Sequence, residues 1–272
     1  MKRTTRPPGT RRHALLGAVV LVAAVTSSSV AAADAGPGPL GVTVHSAVTR
    51  QTARVGALFH GSGGHFCTAS VVHSAGRDLI VTAAHCVDGG GTLRFAPGYR
   101  DGKAPYGYWE VQGTFVPEGW TSDQDEDTDV AFAVLADKDG HGVEDVVGGG
   151  NVFASGRATG STAVTVTGYP STLDTAITCT NKPTVHSSTQ QRIGCPGFAG
   201  GTSGSPWVNG DGEVVGVIGG HQQGGDTDDV SFSVVFKTEV AELYHQAVTT
   251  STASTARSTN RSTNRSTNRS TN

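Results

Sequence analysis

Leu79-Ile80-Val81-Thr82-Ala83-Ala84-His85-Cys86 runs from three large apolar residues and a threonine into two alanines, a histidine and a cysteine. Successive side chains of a strand point to opposite faces, so an unbroken apolar run predicts a strand buried on both sides. The small residues after it leave a titratable ring at the strand's end, beside a possible half-cystine. This segment thus predicts a β core whose rim carries chemistry.

Similar runs recur on either side. Arg54–Phe59, Ala69–His73, Thr92–Phe95, Tyr108–Phe115, Val130–Leu135, Ala163–Gly168, Glu213–Ile218 and Ser231–Phe236 are rich in β-branched or aromatic residues and are separated by Gly, Asp, Asn and Ser turn signals. Valine occurs 33 times and leucine ten, and 38 of 272 residues are glycine. That balance favours short strands and turns over helices. The helix candidate is terminal, Thr238–Ala247, with Thr238 as N-cap and Val240, Leu243, Tyr244 and Ala247 on one face. Many short strands without βα alternation predict an all-β, closed or sandwiched antiparallel architecture. The Gly-rich stretch Val143–Gly160 is the natural place to divide it in two.

The formal charge of -3 hides three regions. Lys2, Arg3, Arg6, Arg11 and Arg12 open the chain, and Arg257, Arg261, Arg265 and Arg269 close it. The body between is left with eleven basic residues against all 23 acids. So acidic a body speaks against a nucleic-acid-binding domain, whose affinity comes mainly from neutralising phosphates.

Residues 1–33 read as a secretory signal peptide: a basic start, the apolar run Ala14–Val25, and Ala-x-Ala at Ala31–Ala33. Twelve residues span only about 18 Å of a roughly 30 Å hydrocarbon core, which argues against a retained anchor. Thr10-Arg11-Arg12 leaves export by the general or the twin-arginine route open. The expected product is secreted and extracellular, with no stable membrane insertion. Residues 34–51 are expected to be a short N-terminal or pro-segment. Residues 250–272, with four Arg-Ser-Thr-Asn repeats, are expected to be a disordered tail, having almost no apolar surface to bury.

Cys67, Cys86, Cys179 and Cys195 all lie in the exported part. An even count in an oxidising compartment predicts two disulfides, with three pairings possible. The nearest-neighbour pairing, 67 to 86 and 179 to 195, would stabilise by about 3 kcal/mol per bridge. No C-x-x-C spacing supports a zinc site.

Three local signals carry chemistry. His85 ends the opening segment, Asp129 immediately precedes the apolar run Val130–Leu135, and Ser203 sits in the glycine-crowded turn Gly200-Gly201-Thr202-Ser203-Gly204-Ser205-Pro206. A serine hydroxyl attacks a carbonyl only if a neutral imidazole takes its proton. The imidazole needs its other nitrogen pinned, which a buried carboxylate does. Glycines let backbone N–H groups face the oxygen that becomes negative. Asp127 competes for the carboxylate role, but Asp129 abuts the strand that would bury it. The acidic run Asp123, Asp125, Glu126, Asp127 and Asp129 lacks the glycine and terminal glutamate of an EF-hand and reads as a solvated loop.

Thr82-Ala83-Ala84-His85-Cys86, with Cys67 upstream in His65-Phe66-Cys67-Thr68-Ala69-Ser70, resembles the histidine segment of trypsin/chymotrypsin-like serine proteases. Asp129-Val130-Ala131 resembles that family's D-[IV]-A segment, and Gly201-Thr202-Ser203-Gly204-Ser205-Pro206 its G-D-S-G-G-P. The likeness spans roughly 52–249 and points to the bacterial secreted branch. It implies two six-stranded antiparallel β-barrels, 52–147 and 148–249, with the active site in the cleft between them and a C-terminal helix. It also implies Ser203 as nucleophile, His85 as general base and Asp129 as orienting carboxylate, with Gly201 and Ser203 N–H groups as the oxyanion hole. Gly219, Gly220 and His221, after Val214–Ile218, would bind extended substrate. No cofactor or metal is implied. Protein or peptide substrates are, and a monomer.

Four positions depart from the patterns of the family or its branches. Thr202 replaces the aspartate that pairs with a new N-terminus in activated members. Ser205 replaces the second glycine, as in glutamyl endopeptidases, but Ile218 stands where that branch carries its pocket histidine. Gly197 replaces the aspartate that binds Lys or Arg. Two other readings remain at this stage. One is a catalytically silent binding protein on the same fold. The other is a serine esterase, whose G-x-S-x-G elbow fails at Ser205.

Overall fold

The structure, a computed structural model, describes residues 38–251. The signal peptide read at 1–33, the first residues of the segment read at 34–51, and the repeats beyond 251 lie outside the described residues. Among the described residues no helix is long and apolar enough to cross a membrane.

The fold opens on strand β1 (Val42–His45) and the single-turn helix α1 (Arg50–Ala53), capped by Thr49. Six strands follow: β2 (Val55–His60), β3 (His65–Val72), β4 (Leu79–Thr82), β5 (Leu93–Pro97), β6 (Trp109–Phe115) and β7 (Ala131–Leu135). They close a barrel in the order β2-β3-β4-β7-β6-β5, antiparallel throughout. The short helices α2 (Glu118–Asp123) and α3 (Val143–Val147) lie in its connections.

The opening segment behaves as its pattern predicts. Ile80 packs inside the barrel with Leu58, Val71, Phe95, Trp109, Ala133 and Leu135. Its neighbours Leu79 and Val81 point the other way, into a second core with Phe132, Val134, Val208, Val214, Val217 and the terminal helix residues Val240, Leu243 and Ala247. Burying each such side chain stabilises by about 1.5–3 kcal/mol, so covering both faces of β4 and β7 locks their register.

The second half contains β8 (Val152–Phe153), β9 (Val164–Gly168), β10 (Ile177–Asn181), β11 (Thr184–Val185), β12 (Gln190–Gly194), β13 (Pro206–Asn209), β14 (Glu213–Val217) and β15 (Val230–Val234). A six-stranded sheet runs β1-β10-β9-β13-β14-β8, and a three-stranded one runs β11-β12-β15. The two wrap a core of Val164, Val166, Ile177, Ile193, Phe198, Trp207 and Ile218. Helix α4 covers residues 238–251 and packs on the core shared by both halves. The architecture is the expected all-β one with a C-terminal helix; the first half closes as a six-stranded antiparallel barrel, whereas the second is built of two sheets and includes one parallel pair, β14 with β8.

Both disulfides take the nearest-neighbour pairing, Cys67–Cys86 in the first half and Cys179–Cys195 in the second. Residues 42–45 fall within the stretch read as an N-terminal or pro-segment. They form an edge strand of the second half, with Val42 opposite Thr180 and His45 opposite Ile177. Ser46 N–H donates to Ala176 O at 2.8 Å, extending this pairing at one end, and Gly41 N–H donates to Gly194 O at the end of β12, also at 2.8 Å. The stretch 143–160, read as the place to divide the body, contains α3 and β8.

Candidate active site

Antiparallel pairing brings the first two residues of interest together. Thr82, at the end of β4, lies opposite Ala131, at the start of β7. His85 is three residues beyond the first, in a single 3-10 turn, and Asp129 two residues before the second. Asp129 is fully buried. Its Oδ2 lies 2.8 Å from His85 Nδ1, and its Oδ1 accepts the His85 backbone N–H at 3.0 Å. Gly220 N–H donates to Oδ2 as well, at 2.8 Å. Three donors thus hold one carboxylate in a site without water access, where such bonds are strongest.

The turn that carries Ser203 is held against β3 and the end of β4 by close backbone approach. A Cβ at Gly204 would lie 2.1 Å from Thr68 O and 2.1 Å from Thr82 Oγ1, and the residue has φ +82°. Only glycine allows the serine turn to sit this near the His85 strand. Thr68 N–H donates to Ser203 O at 2.8 Å, and Gly204 N–H to Ile218 O at 2.6 Å. The turn is therefore clamped between β3 on one side and the 218–220 segment on the other. Ser203 is half-buried. Among the described residues, its hydroxyl makes no hydrogen bond, and His85 Nε2 has none. In unliganded sites this bond is commonly long and tightens around substrate.

The N–H groups of Gly201 and Ser203 also have no acceptor among the described residues. Around them the other groups are engaged. Thr202, where activated relatives carry an aspartate, is buried and folds back on its own turn, Oγ1 donating to Ala199 O at 2.8 Å. Ser205 is buried and donates to Thr202 O at 2.6 Å. Hydroxyl-to-carbonyl bonds within the turn thus stand where an ion pair would otherwise organise it.

Gly219, Gly220 and His221 follow β14, and Gly220 meets Asp129. Their N–H groups are engaged internally: Gly219 with Phe232 O at 3.0 Å, Gly220 with Asp129, and His221 with Gln190 Oε1 at 3.4 Å. The carbonyl of Gly219 accepts no hydrogen bond among the described residues, whereas His221 opens the 3-10 turn His221–Gly224. His221 Nδ1 lies 3.2 Å from Glu126 Oε2, and its ring is 4.9 Å from that of His186. Burial, followed by the nearby His221 and Arg192, pulls the His186 pKa below the usual histidine value.

Asp127, the competing carboxylate, is exposed and accepts from Gln190 Nε2 at 2.9 Å, away from His85. Glu126 accepts the Gln222 N–H at 2.8 Å. Members of the acidic run therefore tie loops together. Cys67, His85 and Cys86 bring potential metal-donor atoms within 4.8 Å of one another, but the two sulfurs are bonded to each other.

Two groups at the site carry no local signal in the sequence, Thr68 and segment 169–173. Yet Ser171 N–H donates to Gly200 O at 2.7 Å, and Thr68 Oγ1 donates to Gly201 O at 3.1 Å.

The chain compares closely with known proteases. The trypsin-like peptidase domain profile matches residues 67–217, which hold His85, Asp129 and Ser203. The protease Anisep from Arthrobacter nicotinovorans is 26% identical, with TM-score 0.66, covering 76% of this chain and 100% of its own. A thermostable serine protease, AL20, from an extremophilic microorganism is 28% identical, with TM-score 0.66, covering 74% of this chain and 100% of its own. A Glu endopeptidase in complex with MPD shares the fold at 18% identity, with TM-score 0.64, covering 78% of this chain and 98% of its own. No curated protein sequence matches the chain. With a profile spanning more than half its length, the chain belongs to the trypsin-like peptidase family.

Proposed function

We propose that this peptidase is a secreted serine endopeptidase working through Ser203, His85 and Asp129 and an acyl-enzyme intermediate. The observation that carries the reading is the buried Asp129 carboxylate bonded to both the ring and the main chain of His85. With Nδ1–H pinned there, Nε2 is left as the acceptor facing the cleft.

Ser203 Oγ attacks the scissile carbonyl carbon as its proton passes to His85 Nε2. The carbonyl oxygen becomes an oxyanion, for which the N–H groups of Gly201 and Ser203 are the donors. Collapse of the tetrahedral species breaks the C–N bond, and His85 returns the proton to the leaving amine. Water then attacks the acyl ester with His85 again as base, and the acid product leaves with Ser203 regenerated. Extended substrate would pair along Gly219, Gly220 and His221, in the manner of an added strand. Residues 1–33 direct export, 34–51 precede the catalytic body and the tail from 250 follows it. The enzyme acts outside the cell as a monomer.

Incubation with a fluorophosphonate probe and a peptide library, beside Ser203→Ala, tests this. Labelling of Ser203 and peptide cleavage are expected in the parent only. Labelling without peptide turnover would favour an esterase. Absence of both would favour a silent binding protein, and equal turnover by Ser203→Ala would remove the mechanism.

A further inference from the structure

Thr68 is fully buried and uses every polar atom at the site. Its N–H donates to Ser203 O at 2.8 Å, and its carbonyl accepts from Thr82 Oγ1 at 2.7 Å. Its hydroxyl accepts the Tyr169 N–H at 2.9 Å and donates to Gly201 O at 3.1 Å. Ser171 N–H holds Gly200 O at 2.7 Å.

These bonds bear on one peptide group. Gly200 O and Gly201 N–H belong to the same trans peptide and point in opposite directions. Anchoring Gly200 O on Ser171 therefore turns Gly201 N–H the other way. On the far side of Gly201, at φ +98°, the next carbonyl is anchored by Thr68. A glycine has no side chain to hold its own backbone, so the two flanking anchors must do it. Segment 169–171 packs directly on this residue, since a Cβ at Gly201 would lie 2.5 Å from Ser171 N and 2.7 Å from Tyr169 O.

The segment is itself braced. Leu173 N–H donates to Pro170 O at 2.9 Å, closing a turn, and Leu173 O is bonded to the buried His65 Nε2 at 3.1 Å. His65 stands edge-on to Phe59, Tyr99 and Tyr169.

We propose that Thr68, through its hydroxyl, and the Ser171 N–H are positioning groups that aim the Gly201 N–H at the developing oxyanion. Neither touches substrate. This assignment rests on the Ser203 mechanism proposed above.

Three variants test it. Thr68→Val keeps the shape and loses the hydroxyl, while Thr68→Ser keeps the hydroxyl. Ser171→Pro removes the N–H at the second position of a turn, where proline is favoured. Thr68→Val and Ser171→Pro are each expected to lower kcat about 10- to 100-fold with KM within about twofold, somewhat less than loss of an oxyanion donor itself. Affinity for a peptide aldehyde, whose adduct oxygen takes the oxyanion position, should fall by the same factor as kcat/KM. Affinity for the matching peptide alcohol should not change, and Thr68→Ser should restore parent activity.

Parent-like kcat and aldehyde affinity in both variants would overturn the assignment. So would equal losses for aldehyde and alcohol, which mark a purely structural role. If melting curves show that Thr68→Val does not fold, the exposed Ser171→Pro decides alone. A parent that neither reacts with fluorophosphonate nor cleaves peptide would overturn the Ser203 mechanism first, and this assignment with it.

Discussion

Asp129 grips His85 at two points, Oδ2 on the ring Nδ1 and Oδ1 on the main-chain N–H of the same residue. Ring tilt and main-chain position are thus set by one buried group, and Gly220 N–H fixes that group in turn. An amide in its place must set an NH2 against one of these donors. Asp129→Asn is therefore expected to lower kcat/KM by about 10³- to 10⁴-fold while the protein still folds. Steady-state kinetics beside a melting curve check this.

Gly204→Ala must find room for a methyl 2.1 Å from Thr68 O at a positive φ. Backbone on the other side cannot rotate away, so a loss of at least about 2–4 kcal/mol in stability is expected. Gly210→Ala, which meets nothing within 4 Å, should stay within about 0.5 kcal/mol of the parent. Denaturant titration of the pair separates the two outcomes.

The disulfides close segments of similar length, with sequence separations of 19 and 16. Their removal as Cys-to-Ser pairs should cost a similar amount, about 3 kcal/mol each. Activity should divide them. Cys67 adjoins Thr68 and Cys86 adjoins His85, whereas Cys179–Cys195 fastens two sheets of the second half. At a temperature well below both melting points, kcat/KM should fall at least about tenfold for the first pair and stay within about twofold for the second.

Burial lowers the His65 pKa, opposed by its bond to Leu173 O and by nearby Asp174. Above the unfolded value of about 6.5 the ring is neutral in both states and contributes no pH dependence. Below it, the unfolded chain takes up a proton that the folded protein refuses. Stability is therefore lost as pH falls from about 6.5 towards the lower folded value. Melting temperature should drop more steeply between pH 7 and 5 in the parent than in His65→Phe.

Strand β1 forms four residue pairs with β10. Deleting residues through His45 should cost about 2–4 kcal/mol at roughly 1 kcal/mol per lost backbone bond. N-terminal sequencing of the secreted protein should find a start at or before Gly41. A start after Ser46 would contradict a structural role for this strand.

How legible each element was follows from where its stability arises. β4 and β7 could be read directly, because unbroken apolar runs are tolerated only where both faces are covered. β10, β12 and β13 could not. Gln190-Gln191-Arg192-Ile193-Gly194 has amides and a charge, and its buried amides are satisfied only by distant partners, Gln190 by Glu126 O and Gln191 by Val215 O. β1 is an edge strand with Val42 and Val44 exposed, so its pattern lacks a buried face.

By itself the sequence determined the β class, the secretory layout expected at the termini, and the identities of His85, Asp129 and Ser203 as candidates. Those depend on residue type, local periodicity and short motifs. Tertiary structure alone decided how Asp129 meets both the ring and the main chain of His85, which of the three cysteine pairings forms, and that Thr68 bridges the serine turn to segment 169–171. Each of these joins groups between 16 and 133 residues apart. Hydrogen bonds act over about 3 Å, and only the closed barrel and its partner bring such distant groups within that reach.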